Sequence, residues 1–382
     1  MQLDPTRFDH AAFLRDTWQQ RPLLIRNPWR GWANPLEPDE LAGLACESEV
    51  ESRLVTGGTG AWQMEQGPLQ EERFATLGSA PWTLLVQAVD YHVPAVAALL
   101  EAFRFVPNWR VDDVMVSYAT DGGGVGPHFD QYDVFLIQGA GRRRWRIGGR
   151  HDDTSPLLPH ADLRLLAGFE VQEEWVLEPG DIVYVPPGIA HDGIAVGDDC
   201  MTYSIGFRAP SRAELMDGWS ESLLDGLTDD DRYADPALPL QDNPGEITPA
   251  ALAQLHAMAT AGLLDMDGFA RWFGQHSTRP KYPEIDWQPE QRMDQSDLAE
   301  MLPAGALERN PAARFAFVRQ GETDVLLFVN GRCIPCEGAA ATLAERICGE
   351  DHLLVEPAAI ADPAAAELLL ALVNEGAVAF DG

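Results

Sequence analysis

His128 and Asp130 stand two residues apart in the run HFDQYDVFLIQ, and His191 closes the later segment PGDIVYVPPGIAH. On an extended strand, residues i and i+2 project to the same face, so this imidazole and this carboxylate can meet at one point. A histidine from a distant strand would complete two imidazoles and one carboxylate around a metal ion. That donor set leaves coordination positions open and suits non-haem Fe(II), which must also take up oxygen and a co-substrate. An HxD pair alone arises often by chance. Its combination with a second segment built as turn, strand, proline–glycine turn and histidine is far more specific, because a double-stranded β-helix delivers its late ligand in that way. The other histidines, at positions 10, 92, 151, 160, 256, 276 and 352, lie in helical, loop or terminal stretches with no matching carboxylate, and read as structural.

An anchor for an anionic co-substrate follows from strand register. If Gly139-Ala140 is a two-residue hairpin turn, Leu136 faces Arg143, and Arg143 joins the face that carries His128 and Asp130. Trp145 and Ile147 continue that face, while Arg142, Arg144 and Arg146 point outward. A guanidinium inside a barrel requires an anion. The distal carboxylate of 2-oxoglutarate fits a bidentate fork of this kind. A register slip of one residue would instead place all four arginines on a solvated strand.

The elements that must position these groups lie in residues 108–208, where short β-rich runs alternate with glycine and proline turns, as in a sandwich or barrel. Before them, residues 1–50 read as helical and irregular, and residues 51–107 mix a strand at Trp82–Val86 with an apolar helix over Pro94–Phe103. After them, Ser211 is a candidate N-cap for a helix carrying Leu215, Trp219 and Leu223. Residues 228–246 read as a polar, proline-rich linker, and Thr248-Pro249 opens a further helix. The last region, 295–382, alternates helices and strands.

Length and composition set the outer limits. With 382 residues, the chain is long enough for two or three domains. A hydrophobic fraction of 46% with 23% charged residues describes a globular protein. No apolar run reaches the roughly 18–20 residues that span a bilayer. The first residues lack the basic-then-apolar pattern of a secretory signal, so a cytoplasmic location is expected. The net charge of -33 disfavours nucleic acid as a direct partner and favours a basic protein. Lys281 is the sole lysine, so the charge also reflects an unusual composition. Five cysteines, an odd number, fit a reducing compartment rather than a disulfide framework. Cys333 and Cys336 form a lone CxxC, a weak zinc signal.

Taken together, GVGPHFDQYDVFLIQGAGRRRWRIG, PGDIVYVPPGIAHDG and the earlier RDTWQQRPLLIRN resemble the bacterial ribosomal oxygenases of the JmjC/cupin type over essentially the whole chain. The resemblance implies a mixed α and β fold. A JmjC/cupin catalytic domain would span 1–208, with its β-helix core at about 108–208. A helical dimerisation domain would span 209–290, and a C-terminal winged-helix-like domain 291–382. It further implies iron held by His128, Asp130 and His191, 2-oxoglutarate held by Arg143, O2 as second co-substrate, and a homodimer. The substrate implied is a basic ribosomal protein, the sixteenth of the large subunit, hydroxylated on an arginine. The family's substrate-binding aspartate matches Asp121, a position that also suits a turn residue before three glycines. Two other readings stay open: a hydroxylase of histidine or another residue, and an acidic, non-catalytic binding module.

Overall fold

In the computed structural model, residues 1–57, 62–78, 80–302, 305–350 and 352–380 are described. The chain divides into two units, Met1–Ala209 and Pro210–Gly382.

Among the described residues, eleven strands build the first unit: β1 (Leu23–Ile25), β2 (Ser52–Thr56), β3 (Gln63–Gln66), β4 (Trp82–Val86), β5 (Val111–Ala119), β6 (Asp133–Ala140), β7 (Arg143–Arg150), β8 (Glu173–Leu177), β9 (Ile182–Val185), β10 (Ile189–Ala195) and β11 (Cys200–Phe207). They form an eight-stranded sheet, ordered β1-β9-β6-β11-β5-β4-β2-β3, and a three-stranded sheet, ordered β10-β7-β8. The fold is a double-stranded β-helix of the JmjC/cupin type.

Period-two alternation explains why β6, β9 and β11 are buried along nearly their whole length. One face of the large sheet carries Phe135, Ile137, Tyr184, Tyr203, Ile205 and Phe207, which pack with Phe13, Trp29, Leu41 and Phe103 of the N-terminal segments. The opposite face carries Val134, Leu136, Val183 and Val185. These meet Trp145, Ile147, Leu177 and Ile189 of the small sheet. Each fully buried large aliphatic or aromatic side chain contributes roughly 1.5–3 kcal/mol relative to exposure.

The N-terminal segment is also fixed by polar contacts. Asp133, at the start of β6 and fully buried, accepts hydrogen bonds from the Tyr184 hydroxyl (2.6 Å), the Gln19 side-chain amide (2.8 Å) and Arg110 (2.9 Å).

The expected hairpin at Gly139-Ala140 is not formed. Both residues end β6, and β6 and β7 lie in different sheets. The chain turns at Gly141-Arg142 instead. Gly141 has φ +58°, and a Cβ there would come within 2.6 Å of the Asp199 carbonyl oxygen, so the crossing requires glycine. Arg143 pairs with Ala195 of β10 and Leu177 of β8, not with Leu136. The face assignment nevertheless holds, because Leu136 and Trp145 meet across the gap between the sheets. The helix expected over Pro94–Phe103 is broken into Pro94–Ala97 and a 3-10 turn at Leu100–Phe103.

The second unit contains helices Arg212–Leu224, Pro249–Thr260, Met266–Ser277, Gln295–Met301, Gly338–Gly349 and Pro363–Asn374, with two three-stranded sheets. Ser211 and Thr248 cap their helices as expected, each accepting a bond from a first-turn backbone N–H. Trp219, Phe269 and Trp272 tie the first helix to the third. A core of Leu298, Phe315, Leu327, Ile347, Leu369 and Leu372 unites the last helices and strands. Cys333 and Cys336 occupy one strand, Arg332–Glu337. Being three apart on a strand, they face opposite ways. Cys336 is buried in the core and its thiol is pushed up to about 11 by burial, while Cys333 lies beside Arg271.

Candidate active site

His128 lies just before β6, in a short stretch that pairs with β10. Its N–H donates to the His191 carbonyl (3.1 Å) and the His191 N–H donates back (2.8 Å). This reciprocal antiparallel pair brings the two imidazoles together, with ring centroids 4.4 Å apart. Downstream, the Gly188 N–H donates to the Asp130 carbonyl (2.7 Å), which holds the loop between His128 and β6 against the turn that precedes β10. Asp130 is therefore positioned by a bridge across the site, not by the regular strand its HxD spacing suggested.

One ligand atom each from His128, Asp130 and His191 lies within 4.8 Å of the other two. Among the described residues, no other group of three such side chains converges in this way. The Nδ1 of His128 lies 2.9 Å from the Gly126 carbonyl oxygen, and that of His191 lies 3.0 Å from the Ile189 carbonyl oxygen. With Nδ1–H donating to these carbonyls, both rings present an unprotonated Nε2 toward Asp130, the tautomer a metal ligand requires. Burial, with the neighbouring His128 adding to it, pulls the His191 pKa down to about 4. Its imidazole is neutral at physiological pH. Tyr132 leaves 43% of its surface in solvent, but its hydroxyl is desolvated and bonds to the Asp130 carboxylate. Both effects raise its pKa, so it remains a phenol that donates to the carboxylate.

Above this cluster the inner face turns polar. Ser117 of β5, Gln138 of β6 and Thr202 of β11 are all buried. Arg143 is only 4% exposed. Its Nε reaches the Cys200 sulfur at 3.4 Å, while one terminal nitrogen has no protein partner. Among the described residues, no carboxylate pairs with this guanidinium, so the site as built calls for an anion from outside. Arg146, by contrast, pairs with buried Asp192 on the outer face. Ser117 and Thr202 were not singled out from sequence. Their signal is the alternation of polar and apolar residues in VMVSYA and CMTYSIGF.

Asp121 is exposed and lies at the other end of the glycine loop. Its carboxylate accepts from the Gly197 N–H (2.7 Å), and its own N–H donates to Asp198 (3.1 Å). These bonds tie the loop to the turn between β10 and β11.

Residues 98–215 match the JmjC domain model, and residues 259–379 match the ROXA-like winged helix model. The ribosomal protein uL16 3-hydroxylase of Escherichia coli is 38% identical over 97% of this chain and 97% of that protein. This chain belongs to the JmjC ribosomal oxygenases. A probable ribosomal oxygenase of Haemophilus influenzae is 40% identical over 57% of the chain and 54% of its own length. The crystal structure of E. coli YcfD superimposes with a TM-score of 0.89 at 37% identity, covering all of both chains. YcfD in complex with cobalt and 2-oxoglutarate matches with a TM-score of 0.86. The JmjC ribosomal oxygenase architecture thus accounts for both units of the chain, the β-helix in the first and the winged helix in the second.

Proposed function

We propose that this ribosomal oxygenase hydroxylates an arginine of ribosomal protein uL16, using Fe(II) and 2-oxoglutarate. The observation that carries the reading is the convergence of His128, Asp130 and His191 beneath a buried arginine that lacks an anionic partner. Full-length similarity to a uL16 3-hydroxylase supports the choice of substrate. Bound iron, with 2-oxoglutarate and O2, would supply oxidation of an unactivated C–H bond: one oxygen atom goes to the new hydroxyl and the other to succinate, with CO2 released.

The residues of the chain do the positioning. His128, Asp130 and His191 would hold the ion with two imidazoles and one carboxylate, a donor set that suits Fe(II). The backbone carbonyls of Gly126 and Ile189 fix both imidazoles in the ligating tautomer, and Tyr132 orients the carboxylate. Arg143 would grip the distal carboxylate, and the buried cluster of Ala119, Ala195 and Cys200 beside it keeps water from that end. Asp121, with a carboxylate at the rim, would pair with the substrate guanidinium and hold its β-carbon within reach of the reacting centre. The acidic surface steers a basic ribosomal protein toward that rim, in the cytoplasm where ribosomes assemble.

Incubating the iron-loaded protein with 2-oxoglutarate and purified ribosomal proteins should add one oxygen to an arginine of uL16, located by peptide mass spectrometry. If uL16 gains nothing while another basic protein does, the substrate assignment is wrong. Hydroxylation found on histidine would favour the histidyl branch of the same family.

The second unit exposes a run of large apolar side chains between residues 224 and 266. Leu224, Leu227, Leu252, Leu264 and Met266 are 54–94% exposed. Apolar surface of this extent marks an interface. We assign it to a homodimer contact within the proposed 209–290 helical domain. Leu252→Asp is expected to convert the dimer to monomer in sedimentation analysis. A wild-type protein that sediments as a monomer would dismiss the assignment.

A further inference from the structure

We propose that the indole N–H of Trp145 is a hydrogen-bond donor to the co-substrate, placed between the metal cluster and the Arg143 guanidinium. The inference rests on the reading of Arg143 as the 2-oxoglutarate anchor.

Trp145 is only 5% exposed, and its Nε1 is buried with no protein acceptor. A buried indole N–H ordinarily finds a partner, and leaving one unmade is costly. Trp29 and Trp82 also carry unpartnered indoles, but both belong to the core on the far side of the large sheet. Trp145 lies on the inner face. Its ring centre is 5.9 Å from the His191 ring and 5.8 Å from the Arg143 guanidinium carbon. A molecule that joins the metal to the guanidinium must pass along this indole.

The orientation of the ring is fixed by its neighbours. Trp145 pairs with Gly193 of β10 on one side and Trp175 of β8 on the other. A Cβ at Gly193 would meet Cζ3 and Cη2 of the indole at 2.7 Å and Cε3 at 3.0 Å. The benzenoid ring therefore lies against Gly193, while the buried Nε1 meets no protein acceptor. Glycine at position 193 lets the ring lie flat against the strand, two residues from the ligand His191. Trp145 is thus an immobile donor beside an immobile guanidinium, two groups that wait for the same acceptor-rich molecule.

Two measurements test this. In nitrogen-15-labelled wild-type protein loaded with Zn(II), one indole N–H signal should move downfield when 2-oxoglutarate is added. The same signal should broaden when Mn(II) replaces Zn(II), which identifies it as the indole beside His191. It should also be absent from Trp145→Phe. By calorimetry, Trp145→Phe should bind 2-oxoglutarate about ten- to a hundredfold more weakly, the span expected for one hydrogen bond to a charged acceptor, with Zn(II) affinity unchanged. An indole spectrum that does not respond to saturating 2-oxoglutarate overturns the proposal even if the variant does not fold. So does a folded Trp145→Phe protein that binds 2-oxoglutarate within twofold of wild type. If Arg143→Ala also binds like wild type, the parent reading has failed. If only Arg143→Ala is impaired, the anchor stands and the role of Trp145 does not.

Discussion

Asp130→Ala should leave a folded protein that no longer converts 2-oxoglutarate to succinate. The substitution removes the only carboxylate of the converging group and leaves two imidazoles, too few to hold Fe(II) on one face. Losing a hydrogen-bond partner of a metal ligand typically costs 10–100-fold in affinity or activity, and losing the ligand itself should cost more. The fold should survive, because Asp130 is partly exposed and lies outside the regular strands. Melting temperature, metal content and succinate formation, measured on one preparation, check the prediction. Retention of iron and of turnover would remove Asp130 from the site.

Arg143→Ala is expected to act on the co-substrate, not on the metal. Deleting one partner of a desolvated ion pair costs about 3–5 kcal/mol, so the KM for 2-oxoglutarate should rise by roughly 10²–10⁴-fold. The metal cluster should bind iron as before. Arg143→Lys should fall between the two, because an ammonium restores charge but not the planar fork. Steady-state kinetics with 2-oxoglutarate varied over a wide range separate KM from kcat. An unchanged KM in Arg143→Ala would take Arg143 out of its role.

These residues were legible in the sequence to different depths, for physical reasons. The spacing of His128 and Asp130 and the proline–glycine approach to His191 are local features, and local features survive in one dimension. The burial of Arg143 was legible as well, but by a partly mistaken route. The alternation was right and the partner strand was wrong, since two glycines near positions 139–141 do not say whether a chain folds back in its own sheet or crosses to the next. That choice depends on the Asp199 carbonyl, which blocks any side chain at Gly141 and comes from a turn sixty residues away in the chain. Helix caps at Ser211 and Thr248 were readable because a cap is a contact over three residues. The polar inner face was not. Ser117, Gln138 and Thr202 come from three strands, and only sheet order shows that they face one space.

The buried Asp133 bears on what can be cut from this protein. Residues 98–215, which match the JmjC domain model, do not include Gln19 or the Phe13 and Trp18 side chains that pack on Phe135 and Tyr184. An excised fragment of that extent would expose the outer face of the large sheet to water and strip a carboxylate of one of its donors. The compact unit runs from Met1 to Ala209, so the catalytic machinery and its N-terminal wrapping belong to one piece.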